Sequence, residues 1–178
     1  DRPLGAYFHD RFAEYGDRLA VVAGAERITY AELDARIGHL ARHLLDLGIA
    51  PLERVIVQLP NVPEFLYMYF ALQRIGAIAL LALPPHRRHE VGHYADFTDA
   101  VGCAIQDRAG EFSYIDMARD IQAETLGMRH IFVLGDDVPD DCHSIREALR
   151  TEPTSPAQAL DDIAIGVAQT RGGKKEYA

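Results

Sequence analysis

The sequence predicts an α/β fold: a mostly parallel sheet with helices on both faces, preceded by a helix and a β-hairpin. Three observations carry this reading. From Val55 onward the order is strand, helix, strand, helix, strand, helix, strand, with short apolar runs separated by helix-length segments, as in a sheet built from crossover units. The run over residues 55–59 has no polar alternation and is flanked by Pro51 and Pro60, the pattern of a strand covered on both faces. The chain has 178 residues, 48% hydrophobic and 25% charged, which excludes disordered and collagen-like classes and suits one domain or the first part of a larger protein.

Each element follows from local chemistry. Leu4, Phe8, Phe12 and Tyr15 recur at helical spacing, and Gly16 suits the stop. Two β-branched runs around Gly24-Ala25 then read as a hairpin. Thr29, with Glu32 three residues on, forms a capping-box signature for the next helix. That helix carries Leu33, Ile37, Leu40, Leu44 and Leu47 on one face and ends at Gly48. After the strand at residues 55–59 comes a segment at 64–76 that is apolar almost all round, hence a buried helix. Residues 77–83 give the next strand, closed by Pro84-Pro85. A polar helix, a strand at residues 103–107, an amphipathic helix from Ser113, a strand at 130–135 and a short helix at 144–150 complete the alternation. Residues 151–162 are rich in Pro, Ser and Thr and read as a loop. A further strand begins at Ile163. We therefore place a subdomain at residues 1–160, and at 161–178 the truncated start of a next strand.

Charge and cysteine content narrow the function. The net charge is −9, so the chain lacks the electrostatic footprint of a nucleic-acid or anionic-membrane binder. Its longest apolar run is far too short to span a bilayer, and its first residues lack a signal-peptide core. Cys103 and Cys142 are isolated, which reads as two small buried thiols in a reducing cytosol. Sixteen of the 18 basic residues are arginine; the two lysines are Lys174 and Lys175.

Several clusters could carry chemistry. His86, His89 and His93 fall near one face of a helix. Three imidazoles suit zinc, but no carboxylate or cysteine is placed to complete the site, so a solvated face is the plainer reading and no metal is expected. A His-based metal protein would hold stoichiometric zinc. Arg87 and Arg88 follow a strand and a Pro-Pro turn, near a helix N-terminus and beside the crevice where parallel sheets bind ligands. Two guanidiniums there could hold phosphate or carboxylate; the plain alternative is an ion pair with Glu90 or Asp96. Gly172, Gly173 and Lys174 resemble part of a phosphate-cradling turn, without the full spacing of a P-loop. Four aspartates around Pro139 do not match a calcium loop and read as solvated. No catalytic residue emerges from spacing alone.

The ordered segments resemble the N-terminal region of the adenylate-forming superfamily, which includes acyl-CoA synthetases, nonribosomal peptide adenylation domains and luciferases. ITYAELD at residues 28–34 is similar to the family's first core motif, and LQRIGAIALLALP at 72–84 to its second. The stretch from Pro84 through HRRHEVGHYADF resembles the aryl-acid-activating branch, the 2,3-dihydroxybenzoate–AMP and salicylate–AMP ligases of siderophore biosynthesis. The resemblance covers residues 5–164.

The resemblance implies a two-step ligase. ATP, with Mg²⁺, converts an aryl carboxylate to an aryl adenylate and pyrophosphate; the acyl group then passes to the phosphopantetheine thiol of an aryl carrier protein. It also implies what this chain lacks. The Thr-rich phosphate loop with its Pro-Lys, the nucleotide and aryl pockets and the C-terminal domain with its catalytic lysine have no counterpart here. TRGG is a remnant of that loop at most, and Lys174 does not inherit the catalytic role. No catalytic residue is carried over, so the chain alone is expected to be inactive, with no tightly bound cofactor. Arg87 and Arg88 lie where related ligases use a basic residue near the CoA phosphate, which implies contact with phosphopantetheine or the carrier. The exposed apolar edge expected at residues 163–168 implies a companion chain, the remainder of the enzyme or self-association. The rival reading is a non-catalytic module that binds a carrier protein or a full-length ligase.

Overall fold

A computed structural model describes residues 4–160 and Ile163. The element order agrees with the expectation, and two short features are added. Helix α1 (Leu4–Tyr15) leads to an antiparallel hairpin, β1 (Leu19–Ala23) and β2 (Glu26–Thr29). Gly24 takes φ 59° in the turn, the left-handed region where glycine has no Cβ penalty. Helix α2 (Tyr30–Asp46) starts on the capping box read from the sequence. Thr29 Oγ1 accepts from the Glu32 N–H at 3.2 Å, while the Glu32 carboxylate accepts from the Thr29 N–H at 2.8 Å. Such a cap stabilises by about 1 kcal/mol.

The alternating region then runs β3 (Arg54–Gln58), α3 (Pro63–Arg74), β4 (Ile78–Leu81), α4 (Arg88–Thr98), β5 (Gly102–Gln106), a small hairpin β6 (Arg108–Ala109) and β7 (Phe112–Ser113), α5 (Tyr114–Glu124), β8 (His130–Leu134), β9 (His143–Ser144) and α6 (Ile145–Ala148). The hairpin β6–β7 and the strand β9 are not in the sequence reading. Five strands form one sheet in the order β4-β3-β5-β8-β9, with every pairing parallel.

The sheet separates two apolar layers. On one face, α1, α2, α3 and α6 contribute Phe12, Leu33, Ile37, Leu40, Met68, Leu72 and Ile145 to a core that takes Val55, Val57 and Ala104 from the strands. On the other, α4 and α5 bring Val91, Ala95, Ile115, Ala118 and Ile121 against Ile56, Cys103, Ile105 and Val133. Adjacent residues of β3 thus serve opposite cores, which is why this run is apolar without alternation. Each fully buried Leu or Ile stabilises by about 1.5–3 kcal/mol. The four leucines and isoleucines of α2 expected at the core, Leu33, Ile37, Leu40 and Leu44, are all buried; Leu47 is half-buried. In α3 no residue is fully exposed, in keeping with its all-round apolar surface.

Among the described residues, strand β4 is an edge strand and leaves Ile78 and Leu81 exposed. Its apolar sequence therefore does not mean burial on both faces. Residues 158–160 and Ile163 are helical. The expected strand therefore does not start at Ile163; the rest of it, residues 164–168, lies outside the described residues, as do Gly172, Gly173 and Lys174. Among the described residues no helix is long and apolar enough to cross a membrane.

Candidate functional site

In an open parallel sheet, ligands bind beyond the strand C-termini where neighbouring strands send their crossovers to opposite faces. Here that point lies between β3 and β5: α3 leaves β3 toward one core, and α5 follows β5 toward the other. Gln58, at the end of β3, pairs in register with Ile105 of β5. Gln58 is fully buried. Its Nε2 donates to the Leu83 and His86 carbonyls, both at 2.9 Å. Its Oε1 is buried and has no partner among the described residues.

Those two bonds fix the turn after β4. The turn is further closed by the His86 N–H donating to Leu83 O at 2.9 Å. The Tyr114 hydroxyl donates to Pro84 O at 2.7 Å from the opposite side. Arg87 is then held on a prepared bed. Its Nη1 donates to Pro84 O at 2.8 Å and His86 O at 3.0 Å, and its guanidinium lies 4.2 Å above the Phe112 ring. The hairpin β6–β7, absent from the sequence reading, supplies that ring. The Arg87 N–H donates to the Glu90 carboxylate at 2.9 Å, and this backbone bond holds Glu90 below the usual carboxylate range. Arg87 thus caps α4 through its backbone, while Nη2 and Nε have no partner among the described residues and can meet an anion.

Arg88 begins α4 and is exposed. Its partner is Glu124 of α5, not Glu90 or Asp96. The pair lines a groove of about 380 Å³ between α4 and α5, with His89, His93, Asp96 and Thr125. The two arginines are neighbours on one rim but have different surroundings: Arg87 is bonded to neutral carbonyls and keeps its charge uncompensated, whereas Arg88 is neutralised by a carboxylate.

The three histidines read from the sequence are not brought together as a metal site. His86 Nδ1 accepts from the Leu83 N–H at 3.3 Å, and its ring meets Tyr94 edge-on. His93 stacks on Phe97. Among the described residues no three His, Cys, Asp or Glu side chains gather so as to hold a metal. Both cysteines are free and buried. Burial, with the nearby Cys142 sulfur, pushes the Cys103 thiol up to about 12, far from a reactive thiolate. Sequence reasoning missed Gln58, Phe112, Tyr114 and Glu124; only Gln58 had a local signal, a single amide inside an otherwise apolar run.

Comparison with known proteins identifies the family and the fold. Residues 8–165 match the family described as AMP-binding enzyme. The chain is 48% identical over 135 residues to triostin synthetase I of Streptomyces triostinicus, covering 76% of this chain and 25% of that protein. It is 40% identical over 133 residues to 2,3-dihydroxybenzoate-AMP ligase of Bacillus subtilis (75% and 25%) and 41% over 143 residues to a salicyl-AMP ligase / salicyl-S-ArCP synthetase of Mycobacterium tuberculosis (78% and 25%). The apo structure of Mycobacterium smegmatis MbtA superposes with TM-score 0.75 at 33% identity, over 89% of this chain and 30% of that one. The chain therefore spans about a quarter of the length of the curated relatives it matches. A doubly wound parallel sheet with its rim at the switch point, matched along nearly the whole chain, places this protein in the AMP-binding, adenylate-forming enzyme family.

Proposed function

We propose that this chain is the N-terminal part of an aryl acid–AMP ligase. The complete enzyme activates 2,3-dihydroxybenzoate or salicylate with ATP and Mg²⁺ and transfers the acyl group to a carrier-protein thiol for siderophore assembly. The observation that carries this reading is the identity of about 40% to ligases of those two acids along three quarters of the chain. The chemistry is that of a poor electrophile made reactive: a carboxylate becomes a mixed anhydride whose AMP leaves readily, and Mg²⁺ with fixed donors stabilises the charge on the transferring phosphate. Within this chain, the described residues build scaffold and rim rather than a nucleotide pocket.

Arg87 and Arg88 are the residues assigned to the carrier or its phosphopantetheine phosphate. Arg87 is the stronger of the two, because its guanidinium is preorganised and not paired with a carboxylate. Gly172, Gly173 and Lys174 stand as a phosphate-loop remnant. The remainder of the ligase, supplied as further chain or as a companion, is the other partner. The cytosol suits a chain whose two buried cysteines are unpaired.

ATP–pyrophosphate exchange on the purified chain, with each acid and Mg²⁺, tests the first point. No exchange, with the fold intact by circular dichroism, is expected; exchange above background overturns the reading of this chain as an inactive part. For the rim, a titration of ¹⁵N-labelled chain with a holo aryl carrier protein should shift residues 84–90, and Arg87→Glu with Arg88→Glu should abolish the shifts. Unchanged binding in that double variant overturns the assignment. A second reading, a non-catalytic module that binds a carrier or a full-length ligase, draws on one observation. The Thr154 and Ser155 N–H groups are bonded to the Asp46 carboxylate at 2.7 and 2.8 Å rather than left frayed. Strong hydrogen-exchange protection from Thr151 onward through the rest of the chain would favour it.

A further inference from the structure

His39, Arg42, His43 and Asp46 follow one another at helical spacing on α2 and face the same segment, residues 151–155. Asp46 accepts from the Thr154 N–H, the Ser155 N–H and the Ser155 hydroxyl, the last at 2.6 Å. Arg42 Nη1 reaches Ser155 O at 3.4 Å. The His39 and His43 Nε2–H groups both donate to the Thr151 carbonyl oxygen, at 2.6 and 2.7 Å. Two nitrogens that share one oxygen at such distances lie within about 5 Å of each other. Their rings are 5.2 Å apart, and both side chains are half-buried.

The geometry points to a transition-metal site at this place: His39 Nε2 and His43 Nε2 chelate one Zn²⁺ or Cu²⁺ ion, with the Thr151 carbonyl as a third ligand and water completing the shell. Imidazoles four residues apart on a helix form one face of a chelate. Here both rings converge on one carbonyl oxygen, and an ion would take the place of the two Nε2 protons that now bond it. On binding, the two Nε2–H···O bonds to Thr151 break, each ring carries its one proton on Nδ1 instead, and the freed Nε2 lone pairs go to the ion. The surroundings favour a cation. Asp46, Glu147 and Thr151 line one groove with His43. Burial raises the Asp46 carboxyl, but the hydrogen bonds from Ser155 and Thr154 outweigh it and hold the group at about 2, so it stays ionised. Arg42, 4.0 Å from the Glu152 carboxylate, is the opposing charge. Two nitrogens and a carbonyl select ions that suit imidazole over Mg²⁺ or Ca²⁺.

His89 and His93 on α4 share the four-residue spacing and are the natural control. Both are exposed, they share no acceptor, and His93 is stacked on Phe97. A bound ion at His39 and His43 would fasten residues 151–155 to α2 and so fix the direction in which the following chain leaves the sheet.

The test is a titration of the metal-stripped chain with Zn²⁺ by calorimetry and with Cu²⁺ by electron paramagnetic resonance at neutral pH. One equivalent is expected at this site, with coupling to two nitrogens from Cu²⁺. His39→Gln and His43→Gln should each weaken Zn²⁺ binding roughly tenfold or more, and the pair should remove that equivalent. Zn²⁺ should also slow amide exchange at residues 152–155. His89→Gln with His93→Gln should leave this equivalent in place. Histidine-selective NMR of the unmodified chain identifies the ligating rings without any substitution. No binding at millimolar Zn²⁺, binding unchanged in the His39/His43 double variant, or metal-induced shifts confined to other histidines would each overturn the site.

Discussion

Gln58 offers the sharpest test of how the rim is built. It is fully buried and spends both amide protons on the Leu83 and His86 carbonyls. Gln58→Leu removes two neutral hydrogen bonds, each worth about 1 kcal/mol net, but also removes the unpartnered Oε1, whose burial costs about 1–3 kcal/mol. The two nearly offset, so this variant should lose no more than about 2 kcal/mol. Gln58→Glu has nearly the same shape and the opposite chemistry. A carboxylate has no proton for either carbonyl and carries an unpaired charge into the core, a loss of roughly 3–5 kcal/mol at neutral pH. Its folded-state carboxyl is pushed above the unfolded value of about 4.3. Above that value the native state binds more protons than the unfolded chain, so stability falls as pH rises and is recovered on acidification. Urea unfolding followed by circular dichroism, at neutral pH and near pH 4.5, measures each variant against the parent. Gln58→Glu should be the weaker variant at neutral pH by about 2 kcal/mol or more and should converge on Gln58→Leu in acid. If Glu is no worse than Leu at neutral pH, Gln58 is not a buried donor, and the account of the Leu83–His86 turn fails.

Other consequences are open to direct measurement. Burial keeps His130 and His143, 3.2 Å apart across β8 and β9, below the usual imidazole range, and the charges of His143 and Arg129 lower His130 further. The unfolded chain therefore takes up protons first, so the melting temperature should begin to fall as pH drops below about 6.5, and His143→Phe should flatten that slope. Asp46, held at about 2, adds a second loss only as pH falls below about 3.8. Neither Cys103 nor Cys142 should react with an alkylating reagent in the native state, since burial raises both thiols; labelling at Cys103 without denaturant would contradict its place in the core. Gly5→Ala should destabilise by about 1–3 kcal/mol by calorimetry, despite a gain in helix propensity of about 1 kcal/mol. Its Cβ would stand 2.5 Å from Gln73 O and 2.8 Å from Arg74 Cα, all backbone of α3. A more stable variant would mean that α1 is held loosely.

Legibility in the sequence tracks the range of the interaction that makes each feature. The Thr29–Glu32 capping box and the Gly24 turn are contacts between near neighbours, and both were readable from residue type and spacing. The apolar face of α2 was readable because period alone places Leu33, Ile37, Leu40 and Leu44 together. The hairpin β6–β7 and strand β9 have two residues per strand, too few to show alternation; only Gly110, at φ 58°, marked the turn. The edge position of β4 was hidden because hydrophobicity reports which strand prefers burial, not which strand lacks a neighbour. At the site, the order Pro-Pro-His-Arg-Arg after a strand pointed to the rim. What it could not reveal was the division of labour there, since Phe112, Glu124 and Gln58 reach the arginines and their turn from distant parts of the chain. The switch from Glu90 or Asp96 to Glu124 as the partner of Arg88 is of the same kind: helix spacing favours the local carboxylates, and the packing of α4 on α5 supplies a nearer one.

The strand order has a consequence for how the polypeptide emerges from the ribosome. β3 is the first strand of the sheet to be made and ends up between β4 and β5. β4 follows at once through α3, but β5 begins only at Gly102, roughly 44 residues after Gln58. Counted from Leu81, where the β3–β4 pair is complete, to Gly102, at a synthesis rate of about 5–20 residues per second, one side of that nascent pair stays bare for roughly 1–4 s. During that interval the ladder of Val55, Ile56 and Val57 is open to any passing strand, and α4, whose apolar side is destined for the opposite face of the sheet, is the part of the chain able to screen it. Substitutions in α4 can therefore lower the yield of soluble protein in cells while leaving the melting temperature of the purified chain almost unchanged.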